Sequence, residues 1–191
     1  MPLTVVCGPM YAEKSSTLYR YVSRAIRSRK TVTVFVPMTD TRGNGQVLTH
    51  SGLSLESLGI TPHKVSSSGQ LWSMVQAMTR PMTRPPDLLV IDEAQFFDLD
   101  LPMWVGKLQL TGLKIVAAGL DLTSEGVPFG PMGALMCLAD RVDKLTAICH
   151  CGAEATRTAC KVKKTGDVLV GGAGEYVPMC LPCWKNRGND A

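Results

Sequence analysis

The chain has 191 residues, 45% of them hydrophobic, and a formal charge of +4. That suits one domain with a small appendage, and the charge is too mild to demand a nucleic-acid partner. No run approaches the ~20 apolar residues of a bilayer span, and the N-terminal apolar run is too short, with no basic lead, for a secretory signal. The seven cysteines are an odd number, and four sit in two tight pairs near the C-terminus. That pattern points to metal binding in a reducing cytoplasm rather than to a disulfide framework.

Leu3 to Cys7 is a short apolar run that reads as a buried strand. A Gly8-Pro9 turn and an amphipathic helix follow, with Leu18, Val22 and Ile26 facing inward and Arg20, Arg24 and Arg27 facing elsewhere. A strand, a glycine loop and a helix N-terminus make a phosphate cradle, because backbone N–H groups and the positive helix end point at the anion. The cradle comprises Gly8, Pro9, Met10, Tyr11, Ala12, Glu13, Lys14, Ser15 and Ser16. Lys14 would reach the β- and γ-phosphates, and the Ser15 hydroxyl would hold Mg²⁺. One residue departs from G-x-x-x-x-G-K-[ST]: Glu13 stands where glycine lets the backbone approach the phosphates. A carboxylate about 5 Å from a phosphate charge costs roughly 3 kcal/mol at an effective dielectric near 20, about a hundredfold in affinity, unless it swings into water. Taken alone, the loop also reads as a plain turn between strand and helix.

Thr31 to Val36 is β-branched and predicts a second strand, closed by Pro37. The polar loop Asp40-Thr41-Arg42-Gly43-Asn44-Gly45 follows a strand end, where open α/β sheets bind ligands. Arg42 could clamp phosphate oxygens there, although an ordinary turn is the favoured reading of this loop by itself. Val47-Leu48 and Lys64-Val65 suggest short strands. His50 and His63 receive no role. Gln70 to Met78 reads as a helix with Leu71, Met74, Val75 and Met78 on one face, and Arg80 to Pro86 as a proline-rich loop. Leu88 to Ile91 predicts a buried parallel strand ending in Asp92 and Glu93. Asp92 at the tip can hold the Mg²⁺ of a nucleotide, which leaves Glu93 as a general base on an acceptor hydroxyl. A helix cap followed by a first-turn acid is the alternative. Pro102 to Leu110 is helical, with Trp104, Val105, Leu108 and Gln109 as packing positions. Lys114 to Ala118 is a strand, Phe129-Gly130-Pro131 a turn and Met132 to Ala139 a helix. Strands alternating with helices predict a parallel α/β sheet.

Beyond residue 140 the character changes. Cys149-His150-Cys151-Gly152 and Cys180-Leu181-Pro182-Cys183 are separated by a 28-residue insert. Cys149, Cys151, Cys180 and Cys183 can close around one tetrahedral Zn²⁺. His150 could replace one sulfur, and metal-free buried thiols are the other reading. Gly166, Gly171-Gly172 and Gly174 predict a mobile loop ahead of Tyr176. Arg157, Lys161, Lys163 and Lys164 lack interleaved aromatics, which disfavours a nucleic-acid-binding ribbon.

Seven stretches in order carry a resemblance over nearly the whole chain. They are Gly-Pro-Met-Tyr-Ala-x-Lys-Ser (8–15), Asp-Thr-Arg (40–42), Ile-Asp-Glu-Ala-Gln-Phe-Phe (91–97), Gly-Leu-Asp (119–121), Pro-Phe-Gly (128–130), Lys-Leu-Thr-Ala-Ile-Cys (144–149) and Gly-Gly-Ala-x-x-Tyr (171–176). Together the chain resembles the type II thymidine kinases, the cytosolic, zinc-containing kind. The resemblance implies an α/β fold: a P-loop NTPase-type, mostly parallel sheet flanked by helices, with a small C-terminal zinc-binding lid domain. Residues 1–143 would be the kinase domain and 144–191 the zinc and lid domain.

It implies that Glu93 takes the proton from the thymidine 5′-hydroxyl and that Arg42 steadies the phosphoryl group. Gly8 to Ser16, Asp92 and Gln95 would serve ATP and Mg²⁺. Met10, Phe96, Leu120 and Thr158 would line the thymine pocket. A lid from about 160 to 176 would hold the base near Leu169 and Gly171, with Tyr176 at the sugar. It further implies a homotetramer inhibited by dTTP, with no nucleic-acid or membrane partner. Glu13, Ser124 (where many members place an aromatic), Arg157 and Cys160 depart from the pattern. The chain therefore reads as an active kinase that tolerates Glu13, acting on thymidine or deoxyuridine. The alternative is a degenerate homologue that binds nucleoside or nucleotide without turnover.

Overall fold

The structure is a computed structural model and describes residues 2–39, 54–79, 85–161 and 175–187. The apolar runs Leu3–Cys7 (β1) and Leu88–Ile91 (β4) are buried at every position, as parallel strands covered on both faces must be. They join Val32–Pro37 (β2), His63–Val65 (β3), Lys114–Gly119 (β5) and Arg141–Lys144 (β6) in one six-stranded sheet of order β3-β2-β4-β5-β1-β6. Every pairing in it is parallel.

Side chains alternate across the sheet and feed two cores. On β5, Ile115 and Ala117 face one core, which contains Leu71 and Val75 of α2 (Ser68–Met78), Val105 and Leu108 of α3 (Leu101–Gln109), and Met132 and Leu135 of α4 (Met132–Leu138). Val116 and Ala118 face the other, which contains Leu18, Val22 and Ala25 of α1 (Lys14–Arg27) and Leu55 of a 3₁₀ turn over Leu55–Leu58. Ile26 is only partly buried in this second core, while Arg20, Arg24 and Arg27 are exposed. Outside α2 and α3, Trp72 and Trp104 stack at 5.0 Å, and the Lys107 ammonium lies 4.4 Å from the Trp104 ring centre.

The predicted strands and helices form within a residue or two of their expected ends. Arg141–Lys144 is an addition: three of its four residues are charged and most are exposed, so their hydropathy does not announce a strand. Position pairs it with β1. Val47-Leu48 and His50 lie outside the described residues. No helix among the described residues is long and apolar enough to cross a membrane.

The C-terminal unit is built from short pieces. Ala147–Ile148 (β7) pairs antiparallel with Glu154–Ala155 (β8), and Arg157–Cys160 (β9) pairs antiparallel with Tyr176–Met179 (β10). Helix α5 spans Leu181–Asn186. Its small core joins Ala147, Cys149, Ala155 and Cys180 to Ala12 and Tyr11 of the loop after β1. The loop after β1 and the cysteine unit thus share buried surface.

One carboxylate ties α2 to the start of α3. Asp98 accepts from the Ser68 N–H at 2.8 Å, from the Ser68 hydroxyl, and from the Asp100 N–H at 3.2 Å. Burial pushes its pKa up, but the bonds from Ser68 and Asp100 outweigh that and leave it below the usual value. A group depressed in the folded state stabilises above its unfolded pKa and loses that contribution as pH falls through the folded one. Asp98→Asn is therefore expected to lower thermal stability at pH 7 and to match the parent more closely near pH 3, measured by melting at both pH values. An equal deficit at both would remove the charge from the explanation.

Candidate active site

Parallel strands bring their C-terminal ends to one edge, and the loop after β1 lies there. Gly8 has φ +140°, and a Cβ on it would stand 2.3 Å from the Leu145 carbonyl oxygen. Only glycine fits that approach. Tyr11 and Glu13 are both left-handed, at φ 66° and 60°. Glu13 is the residue before α1, its side chain makes no cap hydrogen bond, and it is exposed. The backbone there keeps the conformation glycine favours, at a steric cost of about 1–2 kcal/mol for any other residue. The Lys14 ammonium donates to the Pro9 carbonyl oxygen at 2.6 Å, so it curls back over the loop. Ser15 and Ser16 occupy the first turn of α1 and are half-buried. The Met10 N–H donates to the Thr158 hydroxyl oxygen at 3.0 Å. That bond brings together two residues expected in one pocket from 148 positions apart.

The strand β4 carries the two acids to the same edge. β5 alone separates β4 from β1, so at about 4.8 Å per strand their tips lie roughly 10 Å apart. Lys14 and Glu93 thus lie at the same edge of the sheet, and the Glu13 side chain is exposed. Asp92 is buried, its N–H donates to the Phe35 carbonyl, and its Oδ1 accepts from the Glu93 N–H at 2.9 Å. Glu93 sits at φ 49°, an uncommon conformation for a residue with a side chain. Its carboxylate accepts from the Gln95 amide nitrogen, and the Gln95 Oε1 accepts from the Leu120 N–H at 3.0 Å. Gln95 is 2% exposed. Cβ atoms on Gly119 and Gly130 would stand 2.5 Å from its Oε1 and 2.3 Å from its carbonyl oxygen. Two glycines therefore make the slot that holds Gln95 between Glu93 and the end of β5.

Phe96 meets Phe129 edge-to-face, with centroids 5.5 Å apart. Phe129 closes a tight loop in which its N–H donates to the Asp121 carbonyl at 3.0 Å and the Thr123 N–H donates to Val127 at 2.9 Å. Asp121 is buried, with Oδ2 at 3.0 Å from the Lys144 ammonium. That contact is an ion pair out of line for a hydrogen bond, since the same oxygen has no hydrogen-bond partner among the described residues. Beneath it, burial and then the Asp121 charge push the Cys7 thiol up to about 11. Cys7 stays protonated and is no nucleophile.

The four expected cysteines converge. Their sulfurs all lie within 4.8 Å of one another, and those of Cys151 and Cys180 are 3.7 Å apart. Four thiolates about 2.3 Å from one Zn²⁺ would sit about 3.8 Å from each other. Gly152, at φ +85°, makes the first turn, and its N–H donates to the Cys149 carbonyl at 2.8 Å. N–H groups of Cys151 and Cys180 aimed at the Cys149 sulfur hold that thiol down to about 6. The cluster could hold a metal ion such as zinc. His150 is exposed and outside the four-residue cluster, with Nδ1 3.7 Å from the Cys149 sulfur.

A family model described as Thymidine kinase matches residues 1–184. A thymidine kinase of Bacteroides fragilis is 38% identical over 185 residues, covering 96% of this chain and 86% of its own. One of Bacteroides thetaiotaomicron is 38% identical over 98% of this chain and 89% of its own, and one of Deinococcus radiodurans is 41% identical over 82% and 74%. The chain belongs to the thymidine kinase family.

Among the residues a thymidine kinase would use, Tyr176 opens β10 opposite Cys160 and is 9% exposed. Arg42, Leu169 and Gly171 lie outside the described residues. The sequence reading placed Gln95 beside ATP without seeing that both ends of its amide are bonded. It gave Phe129 and the Asp121–Lys144 pair no role. Pro-Phe-Gly and Lys-Leu-Thr were visible as stretches, but the side chains they meet are 33 and 23 positions away.

Proposed function

We propose that the chain transfers the γ-phosphate of ATP to the 5′-hydroxyl of thymidine, giving dTMP and ADP, with deoxyuridine as the next acceptor to test. The observation that carries this reading is the Glu93 carboxylate, oriented by Gln95 at the sheet edge that also holds the Lys14 loop. Glu93 accepts the 5′-hydroxyl proton as that oxygen attacks the γ-phosphorus and ADP leaves. Lys14 and the loop N–H groups neutralise the phosphates, and Arg42 steadies the group in transfer. Asp92 and Ser15 would hold Mg²⁺, which would offset the charge of the phosphates. Gln95 orients Glu93 and, with Gly8 to Ser16 and Asp92, serves ATP and Mg²⁺. Met10, Phe96, Leu120 and Thr158 would line the thymine site, Leu169 and Gly171 would bind the base, and Tyr176 would touch the sugar.

Zn²⁺ in the four cysteines is structural in this reading, and residues 1–143 and 144–191 are the kinase and the zinc-and-lid units. A cytoplasmic homotetramer under dTTP feedback completes the proposal. Incubation with labelled thymidine, ATP and Mg²⁺ tests it: labelled dTMP is expected. None would favour the degenerate alternative, which no observation now prefers.

Glu13→Gly gives a sharper check on the loop. Relief of the left-handed strain, less the extra freedom of glycine in the unfolded chain, should stabilise by about 0.5–1 kcal/mol. An exposed carboxylate acts through water, where a charge about 5 Å away is worth about 0.8 kcal/mol, so ATP affinity should rise only roughly fourfold. Titration calorimetry and thermal melting read both. A hundredfold gain would put the carboxylate against the phosphates instead.

A further inference from the structure

We infer that Trp184 is a positioning residue for the thymidine pocket, clamping the middle of loop 120–131 from within the four-cysteine unit. Its indole N–H donates to the Ser124 carbonyl oxygen at 3.1 Å. The ring lies on Gly126, where φ is +82° and an added Cβ would stand 3.0 Å from the indole. The Arg187 guanidinium covers the ring at 3.8 Å from its centre. Ser124 is 8% exposed, and its hydroxyl is engaged with Glu125 at 3.0 Å. A carbonyl in a buried residue needs a donor, and the indole supplies one from 60 positions away.

The loop has four anchors. At one end the Leu120 N–H is held by Gln95, and the Asp121 carboxylate pairs with the Lys144 ammonium at 3.0 Å. At the other, Phe129 packs on Phe96. Between them run local bonds, Thr123 with Val127 and Gly126 with Thr123, which hold the hairpin's shape. Trp184 ties the hairpin's middle to the four-cysteine unit. Its own position follows from the metal-ligand set: its N–H donates to the Cys180 carbonyl at 2.9 Å, and α5 begins after Cys180 and contains Cys183. The pocket wall formed by Leu120 and Phe129 is thus referenced to the cysteine cluster, whereas the phosphate loop is referenced to it separately, through Ala12 and Met10.

The kinetic part of the test rests on the kinase reading above; the exchange part does not. Trp184→Phe keeps a ring on Gly126 and removes only the N–H. Losing one such bond corresponds to roughly fivefold. The KM for thymidine should rise about fivefold while the KM for ATP and kcat stay within twofold. Backbone amide exchange over residues 122–127 should speed by a similar factor in the ligand-free protein. Unchanged exchange, or equal rises in both KM values, would overturn the assignment. Should the parent protein make no dTMP, the kinase reading fails, and the exchange comparison alone still decides whether the indole holds the loop.

Discussion

Replacing Glu93 by glutamine should lower kcat by about 10²–10⁴-fold, the usual worth of a positioned general base, with the KM values for thymidine and ATP little changed. The substitution is nearly isosteric, and a glutamine carbonyl can still accept from the Gln95 amide that now meets the Glu93 carboxylate. The slot between Gly119 and Gly130 is untouched. What disappears is the capacity to take a proton from the sugar hydroxyl. Steady-state kinetics with a single-turnover check separates the chemical step from product release. A variant with parental kcat would mean that the proton goes elsewhere and that the strained backbone at φ 49° serves some other end.

Stripping the metal from the cysteine cluster should have the second large effect. The purified chain should carry about one zinc. In small zinc units binding contributes about 10–16 kcal/mol of apparent free energy, and much of it is folding energy. The unit around β7 to α5 is mostly short pairs with a core of few side chains, so it has little else to hold it. A strong chelator, or Cys180→Ser, should open residues 147–187 to proteolysis. Activity should fall with it, because Tyr11 and Ala12 lose their cover and Met10 loses the Thr158 hydroxyl. A metal-free chain that resists protease and keeps its turnover would remove zinc from the fold altogether.

How far the sequence could be read follows from the range of the forces involved. The central strands were legible because burial on both faces demands unbroken apolar runs, as in Leu88–Ile91. The edge strand Arg141–Lys144 was not, since its pairing with β1 leaves most of its side chains in water. Cysteine spacing showed which residues could meet, and folding supplied the 3.7 Å that suits one ion. At position 13 the residue type showed a departure from glycine, while the left-handed turn that survives it belongs to the backbone and is silent in composition. Gln95 and Trp184 were opaque for one shared reason. Their partners, Leu120 and Ser124, lie 25 and 60 positions away, and no local pattern encodes such a contact.

The place of β1 in the sheet bears on synthesis. It lies between β5 and β6, so residues 3–7 find both neighbours only after residue 144 has left the ribosome. At about 5–20 residues per second that is a wait of roughly 7–30 s. Until β5 emerges a mostly apolar pentapeptide, Thr4 its one polar residue, stands without hydrogen-bonded company, an opening for chaperones and for misassembly between nascent chains. Placing residues 1–30 after residue 191 would let β1 meet both neighbours as it emerges.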